Sequence, residues 1–265
     1  MGNKLRYYAI TLLLPEHVAL GSVEESQGVH PLRVVSQVLN LLFPPKCCIC
    51  GHYCEELLCK TCQGTLPLVE GPICTRCGKP CHYQVKSCRE CRGRRLYFHS
   101  ARSLGFYEGS LKEAIHNFKY KNGRRLANIF ADLARNNAFC DSMFWDIDLI
   151  TYVPSTTAKE IRRGYNQAEL FGREVAKRIE KPSIKTLCRV KQTEDQNKLK
   201  LEERRKNVKD AFKSLPQLNL KNRRILLVDD VYTTGSTINE CAKALKRAEA
   251  KQVNVLTVAR ATLNY

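Results

Sequence analysis

From residue 101 onward, short apolar runs alternate with stretches whose apolar residues recur every three or four positions. The short runs predict buried strands, and the helical recurrence predicts amphipathic helices. Strands are expected at 103–107, 149–153, 225–228 and 253–258, helices at 110–119, 126–139, 167–179 and 236–248, and a hairpin or mobile loop at 185–212. Because strands alternate with helices, the pattern predicts an α/β fold with a mainly parallel sheet and flanking helices.

Two further segments precede this α/β part. Residues 30–43 carry apolar positions at helical spacing and stop at Pro44-Pro45, which predicts a short amphipathic helix. Residues 44–99 are poor in apolar residues and rich in cysteine. We therefore expect three parts: an N-terminal extension with its helix (1–43), a small cysteine domain (44–99) and the α/β domain (100–265).

Eight of the 14 cysteines form four C-x-x-C pairs in series. Each pair can give two thiolates to one metal ion, and two pairs complete a tetrahedron, so we expect a double zinc ribbon with two closed, structural Zn²⁺ sites. Consecutive pairs are expected to share an ion, and a crossed arrangement stays open. An iron–sulfur cluster is the weaker alternative. The predicted ligands are Cys47, Cys50, Cys59, Cys62, Cys74, Cys77, Cys88 and Cys91.

The cysteines also bear on location. No secretory signal and no membrane-spanning stretch is recognisable in the sequence. Clustered cysteines without such a signal favour metal binding over disulfides, and they indicate a cytoplasmic protein.

The apolar run 225–228 is followed by two carboxylates and then by a loop of hydroxyls with one glycine. Backbone N–H groups at a helix start, together with these hydroxyls, can hold a phosphate, while the carboxylates accept hydrogen bonds from ribose hydroxyls. Gly235 lets the backbone approach the anion closely. An ordinary capped helix is the alternative. The string resembles the PRPP-binding motif of type I phosphoribosyltransferases, on Asp229, Asp230, Thr233, Thr234, Gly235, Ser236 and Thr237.

A second anion site is expected where the strand 149–153 ends, because PRPP also carries a pyrophosphate. Ser155, Thr156 and Lys159 are the candidates, although this pattern is weak taken alone. The polar turn that follows contains Asn166, which otherwise serves as a helix cap.

The chain carries 44 Lys and Arg against 26 Asp and Glu, a formal net charge of +18. Counting two zinc ions and eight thiolates, the charge stays strongly positive at about +14. Such a balance favours a polyanionic partner, although a basic surface kept for solubility is the alternative. Arg92, Arg94 and Arg95, after the last cysteine pair, are candidates for contacts with single-stranded DNA. Tyr97, Phe98 and Tyr165 are candidates for base stacking, with core packing as the alternative.

Five motifs in this order resemble the competence protein F (ComF) family. They are P-P-x-C-x-x-C-G, the four C-x-x-C pairs, R-G-Y-N-Q-A from Arg163, Q-x-x-L-x-x-x-x-R-x-x-N-x-x-x-A-F from Gln196, and L-V-D-D-V-Y-T-T-G-S-T. The resemblance covers roughly residues 41–260. It implies a double zinc ribbon joined to a type I phosphoribosyltransferase-like domain that takes part in uptake and handling of single-stranded DNA in natural transformation.

The resemblance also implies residue roles. The ribose 5-phosphate part of PRPP would be bound by Asp229, Asp230, Thr233, Thr234, Gly235, Ser236 and Thr237. Mg²⁺ would accompany PRPP, and Asp229 and Asp230 would be the catalytic pair if transfer occurs. The family-specific groups would be Arg163, Gly164, Asn166, Gln167, Gln196, Arg204 and Asn207. Other competence proteins, such as a DNA-uptake helicase, would be partners. The alternative is a genuine phosphoribosyltransferase that acts on an unidentified base.

Overall fold

The structure is a computed structural model that describes residues 44–120, 123–137, 146–191 and 207–262. Within these residues the central sheet contains the strands β1 (Ser100–Phe106), β2 (Leu149–Tyr152), β5 (Arg224–Tyr232) and β6 (Gln252–Arg260). Their order in the sheet is β1-β6-β5-β2, and every neighbouring pair is parallel. The predicted parallel sheet is therefore confirmed.

A second, two-stranded sheet joins β3 (Leu187–Arg189) to β4 (Phe212–Ser214) in antiparallel register. These strands lie at the two ends of the charged segment 185–212, so the described part of that segment has the pairing of a hairpin. Residues 192–206, with the candidates Gln196 and Arg204, lie outside the described residues.

Six helices are present in the described residues, and four of them match helices that the apolar recurrence predicts. The six are α1 (Lys60–Gly64), α2 (Gly109–Tyr120), α3 (Leu126–Asn137), α4 (Thr157–Arg163), α5 (Gln167–Arg178) and α6 (Ser236–Arg247). The pattern does not predict α4, because this seven-residue helix buries no side chain and so leaves no apolar period. The helix predicted at 30–43 lies outside the described residues.

The sheet is covered on both faces, which explains why β5 reads as an unbroken apolar run. Leu226 and Val228 pack in one cluster with residues of α2, α3 and α5. Ile225 and Leu227 pack in a second cluster with residues of α6 and β4. Alternate side chains of a strand point to opposite faces, so both sets must be apolar when helices cover both sides.

Strand β5 is longer than the four apolar residues suggest. Its pairing with β6 continues through Asp229, opposite Thr257, to Tyr232, opposite Arg260. The acidic pair thus lies inside the strand and does not follow it. Strands pair through backbone hydrogen bonds, so charged side chains do not end the pairing. Strand β1 likewise starts at Ser100, three residues before the predicted start.

The two cysteine clusters pack against opposite faces of this sheet. Cys47 and Cys62 belong to the cluster of α2, α3 and α5, whereas Cys74 and Cys77 belong to the cluster of α6. The ribbons therefore share their apolar packing with the α/β part of the chain. Among the described residues, no helix has the length and apolar character needed to cross a membrane.

Candidate functional site

The two candidate anion loops lie at the same edge of the sheet. Strands β2 and β5 are parallel neighbours, with Tyr152 opposite Val228, so their carboxyl ends meet. A cavity of about 790 Å³ opens between the loops that follow them. Ligands of parallel α/β sheets bind at this edge. The predicted residues lining the cavity are Ser155, Thr156, Lys159, Arg163, Asn166, Gln167, Asp229, Asp230, Thr233, Gly235, Ser236 and Thr237.

Three of the residues predicted for the PRPP site and its surroundings have described positions but do not line this cavity. Thr234 is buried, and its hydroxyl bonds with that of Ser236 at 2.7 Å. Gly164 ends α4 in the left-handed conformation, at φ 75°. Asn207 precedes the buried Val208 beside the β3–β4 sheet. Thr234 and Gly164 thus shape the loops that carry the cavity-lining groups.

The loop 233–237 has a preformed shape. Gly235 has φ 71° and forms the N-cap of α6, and its missing Cβ would lie 2.3 Å from the Tyr232 hydroxyl. The Ser236 N–H donates to the Thr234 hydroxyl at 3.2 Å. Gly235 has no side chain with which to cap α6, and the start of a helix is a favourable place for an anion.

The acidic pair is electrostatically asymmetric. Asp230 forms an ion pair with Lys119 of α2, with 2.7 Å between Nζ and Oδ2. Asp229 has no such ion pair with a cation of the described residues, and it accepts the N–H of Asp230 at 2.9 Å. Burial, reinforced by the neighbouring Asp230 carboxylate, raises the pKa of Asp229 to about 8. Near neutral pH, the carboxyl of Asp229 is therefore mainly protonated.

Sequence reasoning did not identify Lys119 as a site residue. Burial alone would lower the pKa of its ammonium group, but attraction to Asp230 and a hydrogen bond to it raise that pKa. The lysine ends an amphipathic helix and is one of 44 cations. Only its spatial position separates it from the others.

Two side-chain caps position the second loop. Thr156 is the N-cap of α4, and its hydroxyl accepts the N–H of Lys159 at 3.4 Å. Asn166 caps α5 by accepting the N–H of Ala168 at 3.0 Å, which confirms the predicted cap. Its amide also donates to the Val153 carbonyl at 3.0 Å, which ties the start of α5 to the end of β2.

Arg163 and Gln167 contribute donors at the cavity wall. The guanidinium of Arg163 donates to the Gln167 side-chain oxygen at 2.9 Å and to the Tyr120 hydroxyl at 3.1 Å. Arg163 Nε and Gln167 Nε2 are buried and have no hydrogen-bond partner among the described residues. Unpaired buried donors are unfavourable, and acceptor oxygens of a ligand would satisfy them after a small side-chain movement.

An aromatic wall, which sequence reasoning also missed, faces the same cavity. His116 and Tyr120 lie one turn apart on α2, with ring centroids 4.9 Å apart. The guanidinium groups of Arg162 and Arg163 lie 5.6 and 5.0 Å from the Tyr120 ring centroid. The spacing of His116 and Tyr120 on α2 was visible in the sequence, but their position at the cavity was not.

The eight predicted metal ligands form two groups of four, the first four cysteines and the last four. Within each group the sulfur atoms lie within 4.8 Å of one another, as closed tetrahedral coordination requires. The crossed arrangement is excluded, and neither His52 nor His82 joins a group in the described part of the chain. Backbone N–H groups of Cys59 and Cys88 donate to Cys47 and Cys74 at 3.5 and 3.3 Å. Such bonds stabilise thiolates, so the donor set fits zinc.

The three candidate arginines after the last cysteine pair differ in their surroundings. Arg92 and Arg95 are exposed, whereas Arg94 is partly buried and donates to the Thr234 carbonyl at 3.0 Å. Of the candidate stacking rings, Phe98 is fully buried, so core packing applies to it and base stacking is wrong. The Tyr165 hydroxyl donates to the Phe118 carbonyl, and Tyr97 lies beside Arg95.

Comparison with known proteins identifies both parts of the chain. The family model for a double zinc ribbon domain matches residues 38–92, and the model for a phosphoribosyl transferase domain matches residues 166–262. Competence protein F of Haemophilus influenzae is 32% identical over 79% of this chain and 93% of that protein. Competence protein ComFC of Bacillus subtilis is 28% identical over 78% of this chain and 85% of that protein. The DNA utilization protein YhgH of Escherichia coli K12 is 26% identical over 83% of this chain and 99% of that protein.

These relatives match over most of their length, and the two family models cover the cysteine clusters, the acidic pair and the loop 233–237. The chain belongs to the competence protein F family.

Proposed function

We propose that this chain binds PRPP in the cavity between β2 and β5 and takes part in handling single-stranded DNA during natural transformation. The observation that carries the first half is the convergence of two anion loops and an acidic pair on one cavity. The second half is supported by relatives that are named for competence and DNA utilization.

The proposed contacts follow from the chemistry of each wall. The loop 233–237 would hold the 5-phosphate with backbone N–H groups and hydroxyls. Asp229 and Asp230 would accept hydrogen bonds from the ribose hydroxyls. Ser155, Thr156 and Lys159, with Arg163 and Gln167, would surround the pyrophosphate, and Mg²⁺ would offset its charge. If transfer to a base occurs, the acidic pair would stabilise the positive charge that develops on the ribose.

Arg163 provides a test of the pyrophosphate side. Replacing Arg163 with Met should weaken PRPP binding about tenfold or more, because a charged donor to the pyrophosphate is lost. Affinity for ribose 5-phosphate, which lacks the pyrophosphate, should change little. Isothermal titration calorimetry with both ligands, with and without Mg²⁺, measures the difference.

Arg173→Met is the matched control for this test. The Arg173 side chain is 61% exposed and pairs with Glu169 on α5, away from the cavity. If the Arg163 variant loses the same affinity for PRPP and for ribose 5-phosphate, Arg163 does not contact the pyrophosphate. No binding of PRPP to the parent protein would contradict the proposed function itself. Pyrophosphate release in the presence of a base would favour the genuine transferase.

The DNA surface is proposed to include the exposed arginines after the last cysteine pair. Replacing Arg92 and Arg95 together with Ala should lower affinity for single-stranded DNA of any sequence. The slope of log K against log salt should flatten by up to about 1.4, since each lost phosphate contact on a single strand contributes about 0.7. Fluorescence anisotropy with labelled oligonucleotides at several salt concentrations measures both.

Lys221 and Arg223 serve as the control pair, since both are exposed and lie between β4 and β5. If removing this pair has the same effect, binding reflects net charge alone and the arginine surface is not specific. Arg94 is kept intact in this experiment because it contacts the loop 233–237.

The remaining proposals concern metal, boundaries and location. We propose that both cysteine groups hold Zn²⁺, that the chain divides into parts 1–43, 44–99 and 100–265, and that it works in the cytoplasm with other competence proteins. The absence of disulfides among the described cysteines supports the metal and the reducing compartment.

A further inference from the structure

We propose that the second ribbon positions the phosphate loop, and that Arg94 is the positioning residue. The second ribbon is defined as residues 74–91, its exit segment as residues 92–97, and the phosphate loop as residues 233–237. The inference rests on the proposed function, in which this loop holds the 5-phosphate of PRPP. It assigns Arg94, a candidate for DNA contact, a role within the ligand site.

The first connection is direct. The guanidinium of Arg94 donates to the carbonyl of Thr234 at 3.0 Å, across 140 positions of sequence. Thr234 is 5% exposed, and its hydroxyl already bonds within the loop to Ser236. The orientation of this one peptide group therefore depends on a charged donor that the exit segment supplies. Hydrogen bonds from charged donors are the stronger ones in proteins.

The second connection holds the helix that follows the loop. The backbone N–H of Tyr97 donates to the side-chain oxygen of Asn239 at 2.8 Å, and the Asn239 amide donates to the Arg95 carbonyl at 3.1 Å. Asn239 lies in the first turn of α6, directly after the phosphate loop. The exit segment thus contacts the loop and the start of its helix at three points.

The third connection joins the second ribbon to Tyr232, the residue that precedes the phosphate loop, through Arg260. Arg260 is buried and donates to the carbonyl of the predicted ligand Cys77 at 2.8 Å. Its guanidinium lies 5.4 Å from the ring centroid of Tyr232, whose hydroxyl occupies the space beside Gly235. Phe98, immediately after the exit segment, packs edge-on against the same ring at 6.5 Å.

These contacts distinguish the two ribbons. The side-chain hydrogen bonds between the first ribbon and the α/β part reach α2 instead in the described residues: the Asn117 amide donates to the Cys48 carbonyl, and the Ser110 hydroxyl donates to the Thr65 carbonyl. The exit segment of the second ribbon donates a hydrogen bond to the phosphate loop, and the first ribbon makes no such bond in the described part of the chain. A backbone loop that must present several N–H groups at one anion loses affinity when it is mobile in the free protein.

The test compares Arg94→Gln with Arg89→Gln. Arg89 is exposed on the same ribbon and serves as the matched control. Arg94→Gln should weaken binding of both ribose 5-phosphate and PRPP by about tenfold, because both ligands use the loop. Amide hydrogen exchange of the peptide 233–239 should become faster, while zinc content stays at the parent value. Arg94→Lys should restore part of the affinity, and Arg89→Gln should match the parent.

Two outcomes would overturn the inference: parent-like affinity and exchange in Arg94→Gln, or equal effects in both glutamine variants. If the parent binds neither ligand, the proposed function fails, and the exchange of 233–239 still decides whether Arg94 positions the loop. If Arg94→Gln does not fold, Asn239→Ser, which removes the second connection alone, replaces it. Unchanged exchange of 233–239 in that variant would count against the inference.

Discussion

Asp229→Asn is expected to stabilise the fold above neutral pH while it weakens PRPP binding. The pKa of Asp229 is raised to about 8, chiefly by burial, from an ordinary value of 3.8. As pH rises between these values, the unfolded chain releases the proton and the folded chain keeps it, so the free energy of unfolding falls. Asparagine does not titrate, so the variant does not lose this stability. The free energy of unfolding of Asp229→Asn, relative to that of the parent, should therefore increase by up to about 2–3 kcal/mol between pH 6 and pH 8.5.

Asp230→Asn is the natural contrast, because it also removes an acceptor from the proposed ribose site. It leaves Lys119, whose side chain is 16% exposed, without its carboxylate, and should destabilise the fold by about 1–3 kcal/mol. Thermal unfolding at several pH values and PRPP calorimetry measure both effects. Parent-like PRPP affinity in both variants would exclude the acidic pair from the site. If Asp229→Asn changes the free energy of unfolding by the same amount at every pH, the raised pKa of Asp229 is contradicted.

Cys59→Ser is expected to unfold the first ribbon and reduce the zinc content from about two ions per chain to about one. A structural zinc ion contributes on the order of 10 kcal/mol to so small a module, and a hydroxyl is a poor substitute for a thiolate. Leu58 and Leu66, which are buried against α2 and α3, should lose this packing when the ribbon unfolds. Elemental analysis and limited proteolysis of residues 44–66 measure the two effects.

Cys54→Ser is the matched control, because Cys54 lies in the same ribbon but outside both groups of four. Its thiol donates to the Glu56 carbonyl at 2.9 Å, a bond that a serine hydroxyl can replace. Equal zinc loss in both variants would place Cys54 among the ligands. Unchanged zinc in Cys59→Ser would contradict the first site.

Much of the fold could be predicted from the sequence because its signals are local. Strand β5 is apolar on both faces, and α2, α3, α5 and α6 each bury one stripe of side chains. Both patterns are imposed by burial along a short stretch of chain. Helix α4 and the early start of β1 were missed for the complementary reason. Helix α4 buries no side chain, and the early start of β1 buries the polar Ser100, whose hydroxyl donates to the Asn254 side-chain oxygen.

The sequence by itself determined the chemistry of each loop: the cysteine pairs, the glycine at the turn of the phosphate loop, the acidic pair and the Asn166 cap. Each of these needs only residues within a few positions of one another. Tertiary structure alone decided which cysteine pairs combine, that Lys119 neutralises Asp230, and that Arg94 contacts Thr234. These contacts join residues many positions apart. They form only because of the way the sheet and the ribbons pack together, and such packing produces no periodic pattern in the sequence.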